Sequence, residues 1–469
     1  MLFSSPIFLF WFLPMVLFCY YVAAKPYRNW ILLFFSLLFY GWGEGKMLTL
    51  MLVSVLINYF SGMGIADAKT LQLKKRILFI GIAANLLLLI YFKYANFFIS
   101  NYNFAAAQLD FNPIIWDKII LPLGISFYTF HGMSYMIDVF RGHSQAQRNP
   151  LKLALYISFF PQLIAGPIIR YKDVEHQIDD RTIDLELFAS GVKRFIIGLA
   201  KKVLIANMVG RVPDFIFKMP VSELNAYWSW LGVFAVGIQL YFDFSGYSDM
   251  AIGLGRMFGF KFLENFNYPF ISQSMREFWT RWHISLSNWF RDYVYLPLGG
   301  NKKGKLQTIL NLWIVFLLVG IWHGANWSFV IFGIYHGLLL TLERFGLSKI
   351  LNWIPRPMRS IYVFIAYALG DILYSIDDIH HLAAYFHSLF IFNTPDPYSR
   401  IHLYLTKEWY FVFFTGILLS IPTAEFIFNK IKNETKKQWI ETGVVLILFV
   451  LASSELANSS YNPFIYFRF

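Results

Sequence analysis

The sequence predicts an all-α, polytopic integral membrane protein, with about 11 transmembrane helices plus re-entrant or interfacial helices around a central tunnel. Hydrophobic residues make up 57% of the 469 residues and charged residues only 14%, whereas a soluble domain carries roughly 25% charged residues. Aromatic residues reach 20%, with 51 Phe, as is usual for lipid-facing surfaces and interfacial belts. Apolar stretches near the length of a membrane span recur along the whole chain.

The predicted spans are the apolar stretches that approach the roughly 20 residues needed to cross a bilayer. They are Phe3–Tyr21, Trp30–Tyr40, Leu48–Ile65, Ile77–Phe98, Ile119–Phe140, Trp228–Ile252, Leu306–Ile321, Trp327–Leu342, Ile361–Tyr374, Tyr410–Phe428 and Thr442–Leu456. The first is interpreted as a retained span rather than a cleaved signal peptide, because no basic residues precede its apolar run.

Two further apolar regions are ambiguous. Leu153–Ile169 is interrupted by Pro161 and Pro167, and proline breaks a helix interior. Leu187–Met208 carries four basic residues on an apolar background, which favours an amphipathic helix at the membrane interface over a deep span. These basic residues are Lys193, Arg194, Lys201 and Lys202.

Basic residues set the expected orientation, because Lys and Arg concentrate in short cytoplasmic loops. The residues assigned to the cytoplasmic side are Lys25, Arg28, Lys69, Lys74, Lys75, Arg76, Arg141, Lys302, Lys303, Lys305, Arg344, Lys349, Arg356, Arg359 and the lysines of Asn429–Gln438. Both the N-terminus and the C-terminus are then expected to be extracytoplasmic. The net charge of +12 is attributed to these loops, since no basic arm or zinc-finger spacing supports binding to nucleic acid.

A histidine lies at the turn between two predicted spans, in the sequence Gly-Ile-Trp-His-Gly-Ala-Asn-Trp that ends at Trp327. Leu306–Ile321 and Trp327–Leu342 are both anchored on the cytoplasmic side, so they are expected to form a hairpin with His323 at its tip. The first helix would be only about 24 Å long, which places His323 within the membrane, next to a polar tunnel. An ionisable group at that depth is a functional-site hypothesis, and imidazole suits proton transfer near neutral pH.

A second histidine falls in Ser274–Tyr293, which is predicted to form one amphipathic helix near the cytoplasmic face. At 100° per residue its polar residues share an arc of about 80°. They are Arg276, Thr280, His283, Ser287 and Arg291. Composition alone favours a solvated histidine on an interfacial helix, and a functional histidine is the alternative.

Carboxylates interrupt the apolar stretch Trp228–Ile252. Asp243 and Asp249 are expected to face the helix bundle and pair with cations. The arginines Arg276, Arg281 and Arg291 are the candidate partners. An ion pair that orients helices is at least as good an interpretation as a catalytic role.

The remaining histidines are interpreted as structural. His131 and His336 are expected to be hydrogen-bonded packing residues. Four more lie in the predicted outer segment Asp371–Lys407 with a spacing that matches no strong metal pattern; they are His380, His381, His387 and His402. Cys19 is the one cysteine, so no intrachain disulfide forms and no metal site is expected.

Five long motifs together resemble the membrane-bound O-acyltransferase family, in particular its bacterial alginate O-acetyltransferase branch. They are Leu121–Gly142, Phe160–Arg170, Tyr241–Phe260, Arg276–Gly300 and Gly320–Gly337. The resemblance covers nearly the whole chain. It implies one membrane domain over residues 1–469, with core motifs at 121–345 and an extracytoplasmic tail at 457–469, in the bacterial cytoplasmic membrane.

The resemblance implies that His323 is catalytic and that His283 is a second functional position. Acyl transfer from a thioester to a hydroxyl needs a base and a donor to the developing oxyanion. Neutral His323 is the expected base, while His283, Asn288 or Trp322 would steady the thioester oxygen or position the donor. Arg276, Arg291 and Asp243 are further candidates for donor binding or support.

The chain ends in Asn-Pro-Phe-Ile-Tyr-Phe-Arg-Phe469, which resembles a C-terminal motif of these acyltransferases or of their small partners. The resemblance implies that Tyr466 relays the acyl group to an outer transferase. A tyrosine hydroxyl needs a nearby base to act as a nucleophile. The alternative is an aromatic anchor at the membrane interface.

The expected function is membrane O-acetylation of an exported polysaccharide such as alginate, with no bound cofactor. The donor would be acetyl-CoA or an acyl carrier protein thioester. The loop Lys302–Lys305 would attract either anion, and the favoured alternative is that its lysines only set the membrane topology. A periplasmic SGNH-type O-acetyltransferase is the expected partner, besides membrane lipids. Peptidoglycan O-acetylation, D-alanyl transfer to teichoic acid and a non-enzymatic transporter or flippase are the alternatives; a transporter would tend to show internal repeats.

Overall fold

A computed structural model describes residues 2–392, 400–458 and 461 of the chain. These residues form helices joined by loops, and no strand occurs among them. Contacts divide the chain into two compact units. One consists of Met1–Gly191 with Ala251–Leu263, and the other of Val192–Met250 with Glu264–Phe469.

The first unit contains nine complete α-helices in its described part. They are α1 (Leu13–Val22), α2 (Arg28–Glu44), α3 (Met47–Asp67), α4 (Leu71–Leu89), α5 (Ala95–Gln108), α6 (Ile125–Arg141), α7 (Pro150–Ser158), α8 (Phe160–Leu163) and α9 (Tyr171–Asp179). A π-helical turn precedes α1 at Phe8–Phe12. A 3₁₀ turn at Lys25–Tyr27 joins α1 to α2, and a second π-helical turn at Ile90–Tyr94 joins α4 to α5.

The helix α10 (Leu185–Ala200) and the 32-residue helix α12 (Ala226–Met257) contribute residues to both units. The second unit adds α11 (Asn207–Ile216), α13 (Met275–Arg281), α14 (Ile284–Phe290), α15 (Lys305–His323), α16 (Trp327–Leu342), α17 (Ser348–Leu351), α18 (Arg356–Ser375), α19 (Ile379–Ser388), α20 (Lys407–Leu419), α21 (Thr423–Phe428) and α22 (Glu434–Asn458). Its π-helical turns cover Lys201–Ala206, Arg291–Tyr295 and Glu343–Leu347, and its 3₁₀ turns cover Val221–Glu223, Pro269–Ile271 and Arg400–Leu403.

Buried amides join α3 to α4 in the first unit. Asn58 and Asn85 exchange side-chain hydrogen bonds of 3.2 Å in each direction, which satisfies both amides inside an apolar bundle. The helix α6 also comes close, because a Cβ on Gly132 would overlap the Asn58 side chain. Gly132 therefore allows the close approach of α6 to α3.

Five helices in the described part of the chain are long and apolar enough to cross a membrane. They are Met47–Asp67, the continuous helix Leu71–Gln108, Lys305–His323, Trp327–Leu351 and Glu434–Asn458, and a shorter apolar helix covers Phe8–Val22. The expected helical membrane protein is confirmed at this coarser level. Two other predicted regions are broken: Leu153–Ile169 divides between α7 and α8, as its prolines indicated, and Tyr410–Phe428 divides between α20 and α21 next to Pro422.

One of the four basic residues of Leu187–Met208, the region interpreted as an amphipathic interfacial helix, is buried in the protein. A helical run from α10 through the π-helical turn Lys201–Ala206 continues into α11. Lys202 in that turn is only 2% exposed. Its charge is compensated inside the protein rather than by water.

Candidate active site

The hairpin predicted around His323 is formed by α15 and α16. A Cβ on Gly320 would lie 2.3 Å from the Phe329 carbonyl oxygen, and one on Gly333 would lie 2.6 Å from the Phe316 carbonyl oxygen. The two backbones therefore touch, which only glycine permits at these positions. The predicted length of the first helix was too short, because α15 begins at Lys305 and ends at His323 itself, giving 19 residues and about 28 Å.

His323 is enclosed by aromatic rings. It is 3% exposed, and its ring centroid lies 4.9 Å from Trp322, 5.7 Å from Phe332 on α16 and 5.1 Å from Tyr374 on α18. All three ring pairs meet edge to face, an arrangement that aromatic rings favour. Packing on three sides fixes the plane of the imidazole.

The second predicted histidine does not lie on a continuous amphipathic helix, so that prediction was wrong. The chain stops being helical after Arg281 and starts again at Ile284, and His283 between them has φ 42° and ψ 53°. This left-handed conformation is unusual for a residue with a Cβ. The break turns His283 into the protein, where it is 0% exposed, so the solvated interpretation is also wrong.

Hydrogen bonds around Asn265 determine which nitrogen of His283 carries a proton. The Ser285 backbone N–H donates to Asn265 Oδ1 over 3.2 Å, and Asn265 Nδ2 donates to Ser248 Oγ over 2.9 Å. The amide oxygen is thereby identified, and it also lies 3.1 Å from His283 Nδ1. Since a carbonyl oxygen only accepts, Nδ1 is the donor, and the neutral ring carries its lone pair on Nε2.

Burial favours the neutral form of this ring. His283 lies outside the five apolar candidate spans, and its burial lowers the pKa of the imidazole to about 3, because the charged form would lose its hydration. A neutral imidazole with an accepting Nε2 has the form required of a proton acceptor.

Trp322 lies between the two histidines. Its ring centroid is 6.3 Å from that of His283 and 4.9 Å from that of His323. The structure thus brings His283 together with two residues that lie 39 and 40 positions later in the sequence. We call His283, Trp322 and His323 the histidine cluster.

The carboxylates of α12 pair with α10 and the turn that follows it, not with the arginines suggested by the sequence. Asp243 binds Lys202 at 2.5 Å, and both side chains are 2% exposed. Asp249 binds Arg194 at 2.6 Å and Lys201 at 2.7 Å. The two helices can approach this closely because Gly198 and Gly246 face each other: a Cβ on either one would lie 2.7 Å or less from the carbonyl oxygen of the other.

The arginines of the Arg276–Arg291 segment lie at least partly exposed, and two of them bind acidic residues of the same segment. Arg276 and Arg291 are exposed, and Arg281 and Arg291 bind Glu277 and Asp292 at 3.0 Å and 2.8 Å. Asn288 on α14 is half-buried. The lysines Lys302, Lys303 and Lys305 are exposed before and at the start of α15.

His131 and His336 are both buried, at 0% and 2% exposure, which agrees with packing roles. The expectation of hydrogen bonding is wrong for His131, because neither of its ring nitrogens has a hydrogen-bond partner among the described residues. The part of the chain that the structure describes contains no group of three or more His, Cys, Asp or Glu side chains arranged to hold a metal ion.

Tyr466 lies outside the described residues, but the chain just before it is anchored. The Tyr461 hydroxyl donates to Asp214 over 2.6 Å, and the Tyr461 carbonyl accepts from Asn207 over 3.4 Å. Both partners belong to α11, as does Arg211, whose guanidinium lies 5.8 Å from the Tyr461 ring centroid. Burial, reinforced by the Asp214 carboxylate, raises the pKa of the Tyr461 phenol.

Comparison with known proteins identifies the family. The profile of the membrane-bound O-acyltransferase family matches residues 37–368. The chain belongs to the membrane-bound O-acyltransferase family.

Individual relatives of this membrane-bound O-acyltransferase represent three branches. "Probable alginate O-acetylase AlgI" of Pseudomonas putida is 40% identical, with all of both chains covered. "Peptidoglycan O-acetyltransferase" of Helicobacter pylori is 36% identical over 76% of this chain and 74% of its own. "Teichoic acid D-alanyltransferase" of Bacillus subtilis is 31% identical over 56% of this chain and 71% of its own. The enzyme class is therefore O-acyltransferase. This class, and not the alternative of a non-enzymatic transporter, is supported by the comparisons.

Sequence reasoning missed two residues of this acyltransferase that the structure places next to the predicted ones. Asn265 and Lys202 carry no local signal, because their roles come from contacts with His283 and Asp243 that are distant in the sequence. The break at His283 likewise depends on a contact with a distant segment. Asn265 O accepts from the Ile284 N–H over 2.9 Å, so a second segment competes for the backbone of the predicted helix.

Replacing Asn265 by alanine is expected to lower acetyl transfer by about 10²-fold, because His283 would lose the acceptor that fixes its tautomer and orientation. Asn265→Asp retains the acceptor and is expected to keep more activity than Asn265→Ala. The exposed neighbour Asn267 supplies the control, Asn267→Ala. Transfer rates of purified variants, compared at equal folded protein, test this; an alanine variant as active as the control would contradict it.

Proposed function

We propose that the protein passes an acetyl group from a cytoplasmic thioester across the membrane for O-acetylation of an exported polysaccharide such as alginate. The observation that carries the proposal is the buried histidine cluster in a chain similar over its full length to an alginate O-acetylase. Two buried imidazoles near an indole provide the proton acceptors and the N–H donor that acyl transfer to a hydroxyl requires.

In the proposed reaction, His323 accepts the proton of the acceptor hydroxyl as its oxygen attacks the thioester carbonyl carbon. The carbon–sulfur bond then breaks, and the thiolate that leaves takes up the proton. The Nδ1–H tautomer of His283 favours Trp322 or Asn288 as the donor to the oxyanion, because His283 Nε2 has no proton to give. His283 would serve as a second acceptor or position the donor thioester.

The cytoplasmic donor in this proposal is acetyl-CoA or an acyl carrier protein. The exposed Lys302, Lys303 and Lys305 would attract either anion. The exposed Arg276 and Arg291 would contribute further positive charge. The acetyl group would leave to a periplasmic SGNH-type O-acetyltransferase. The proposal includes a single domain in the bacterial inner membrane, with about 11 crossings and both termini extracytoplasmic.

The proposal is tested by the esters found on the cell surface. Expression in a host that makes an unacetylated exopolysaccharide, together with the periplasmic partner, is expected to add acetyl esters to that polymer. Acetate and D-alanine released by mild base from polysaccharide, peptidoglycan and teichoic acid are measured separately. Acetate on peptidoglycan alone would favour the function named for the Helicobacter pylori relative, and D-alanine would favour that of the Bacillus subtilis relative.

The proposal also assigns the acyl relay to Tyr466. Tyr466 follows the anchored Tyr461 by five residues in the sequence. Tyr466→Phe removes the hydroxyl that would carry the acetyl group and is expected to abolish both polymer acetylation and any acetyl adduct on the C-terminal peptide. Intact-mass and peptide mass spectrometry after incubation with labelled acetyl-CoA measure the adduct, with Tyr404→Phe as a control. Normal acetylation by Tyr466→Phe would leave the tail as an anchor only.

A further inference from the structure

A small buried cavity lies inside the second unit, next to the histidine cluster. Four helices, α12, α13, α16 and α18, supply its walls. The lining residues are Leu240, Phe278, Trp279, Trp282, Phe332, His336, Tyr367, Asp371 and Tyr374. Its volume is about 10 Å³, which is close to the minimum that one water requires.

Helical spacing places the polar lining residues toward one another. Tyr367, Asp371 and Tyr374 are four and three residues apart on α18, so they share a face. Phe332 and His336 are likewise four residues apart on α16. The cavity is therefore a consequence of how these two helices, α12 and α13 present their inner faces.

The cavity contains polar atoms that the surrounding protein leaves unsatisfied. Asp371 Oδ2, His336 Nδ1 and Trp279 Nε1 are buried, and none has a hydrogen-bond partner among the described residues. Asp371 and His336 are each only 2% exposed. Burying such groups without a partner costs about 1–3 kcal/mol each, so a hydrogen-bonding occupant is strongly favoured.

We propose that this cavity binds one ordered water, which accepts from Trp279 Nε1–H and donates to Asp371 Oδ2 and His336 Nδ1. One water provides two donors and accepts through its oxygen, so it satisfies all three atoms at once. About three hydrogen bonds is the usual number for a buried water. A purely apolar cavity of this size would stay dry.

The water site also positions the catalytic histidine. Phe332 and Tyr374 line the cavity, and the same two rings contact His323 at 5.7 Å and 5.1 Å. The ring centroid of Phe332 in turn lies 4.4 Å from that of His336. Asp371, His336 and Trp279 thus act on His323 through these two rings as positioning residues.

The site is tested first by structure determination of the full chain in nanodiscs at a resolution that shows ordered water. The expected result is one density peak within hydrogen-bond distance of Asp371, His336 and Trp279. Trp279→Phe removes one donor and keeps an aromatic ring, and it is expected to weaken or remove the peak. Trp313→Phe, which removes an indole N–H bonded to Thr341, should leave it unchanged. A cavity without density in the wild type overturns the proposal.

The positioning role is tested with acetyl-CoA as the donor, and this readout rests on the proposed function. Asp371→Leu is expected to lower kcat about tenfold or more with KM changed less than about twofold, because orientation rather than binding is lost. Asp371→Asn keeps a group that can bond the water and should restore most of kcat. Wild-type kcat in both Asp371→Leu and Trp279→Phe overturns the role. If the wild type transfers no acetyl group, the proposed function fails while the density still tests the water.

Discussion

Replacing His323 by alanine is expected to abolish O-acetylation of the exported polymer while the protein remains folded. The imidazole ends α15 inside a cage of Trp322, Phe332 and Tyr374, and in the proposed reaction it is the group that accepts the proton of the attacking hydroxyl. Loss of a general base costs about 10²–10⁴-fold in rate. Polymer-bound acetate per cell, normalised to membrane-inserted protein, measures the effect.

Two controls make the His323 result specific. His387→Ala removes an exposed histidine on α19 and is expected to retain full acetylation. His323→Gln keeps a polar side chain in the cage but supplies no base, so it should be as inactive as His323→Ala. Substantial acetylation by either His323 variant would remove this residue from the proposed mechanism.

The second large effect concerns stability. Lys202→Met is expected to lower the free energy of unfolding by about 3–5 kcal/mol, because it leaves the Asp243 carboxylate buried without its cation. Both side chains of this pair are 2% exposed, so water cannot replace the lost partner. Thermal unfolding of the purified variant in detergent measures the change.

A double replacement distinguishes the pair from either residue alone. Lys202→Met with Asp243→Leu removes both charges, and it is expected to be far more stable than Lys202→Met, since a buried ion pair gains little over apolar packing. Lys201→Met, next in the chain, serves as the matched control because Asp249 retains Arg194. Equal stability of Lys202→Met and the wild type would show that Asp243 is not charged in the folded protein.

Sequence reasoning located the hairpin and both histidines because each depends on local information. The turn at His323 follows from two apolar segments with charges at their far ends, and helical periodicity of 3.6 residues identifies faces. Periodicity failed at His283, where a buried histidine required a break that the pattern of polar residues did not show. Tertiary contacts with Asn265 overrode the local preference.

Partner choice was also beyond local reasoning. The sequence indicated that Asp243 and Asp249 need cations, but many basic residues were available. What selects Lys202, Arg194 and Lys201 is the close approach of Gly198 to Gly246, which depends on two backbones and carries no charge signal. The same limit applies to the cavity at Asp371, whose lining residues come from four helices and extend from Leu240 to Tyr374 in the sequence.

The π-helical turn at Lys201–Ala206 has a consequence for how this chain tolerates insertions and deletions. Each π turn contains one residue more than an α-helical turn. Deleting that residue would restore a regular helix and change the rotational phase of everything after it by about 100°. Asn207, Arg211 and Asp214 would then no longer face Tyr461. One additional residue in this turn, more than 250 positions before the last residue, therefore determines whether α11 can bind Tyr461.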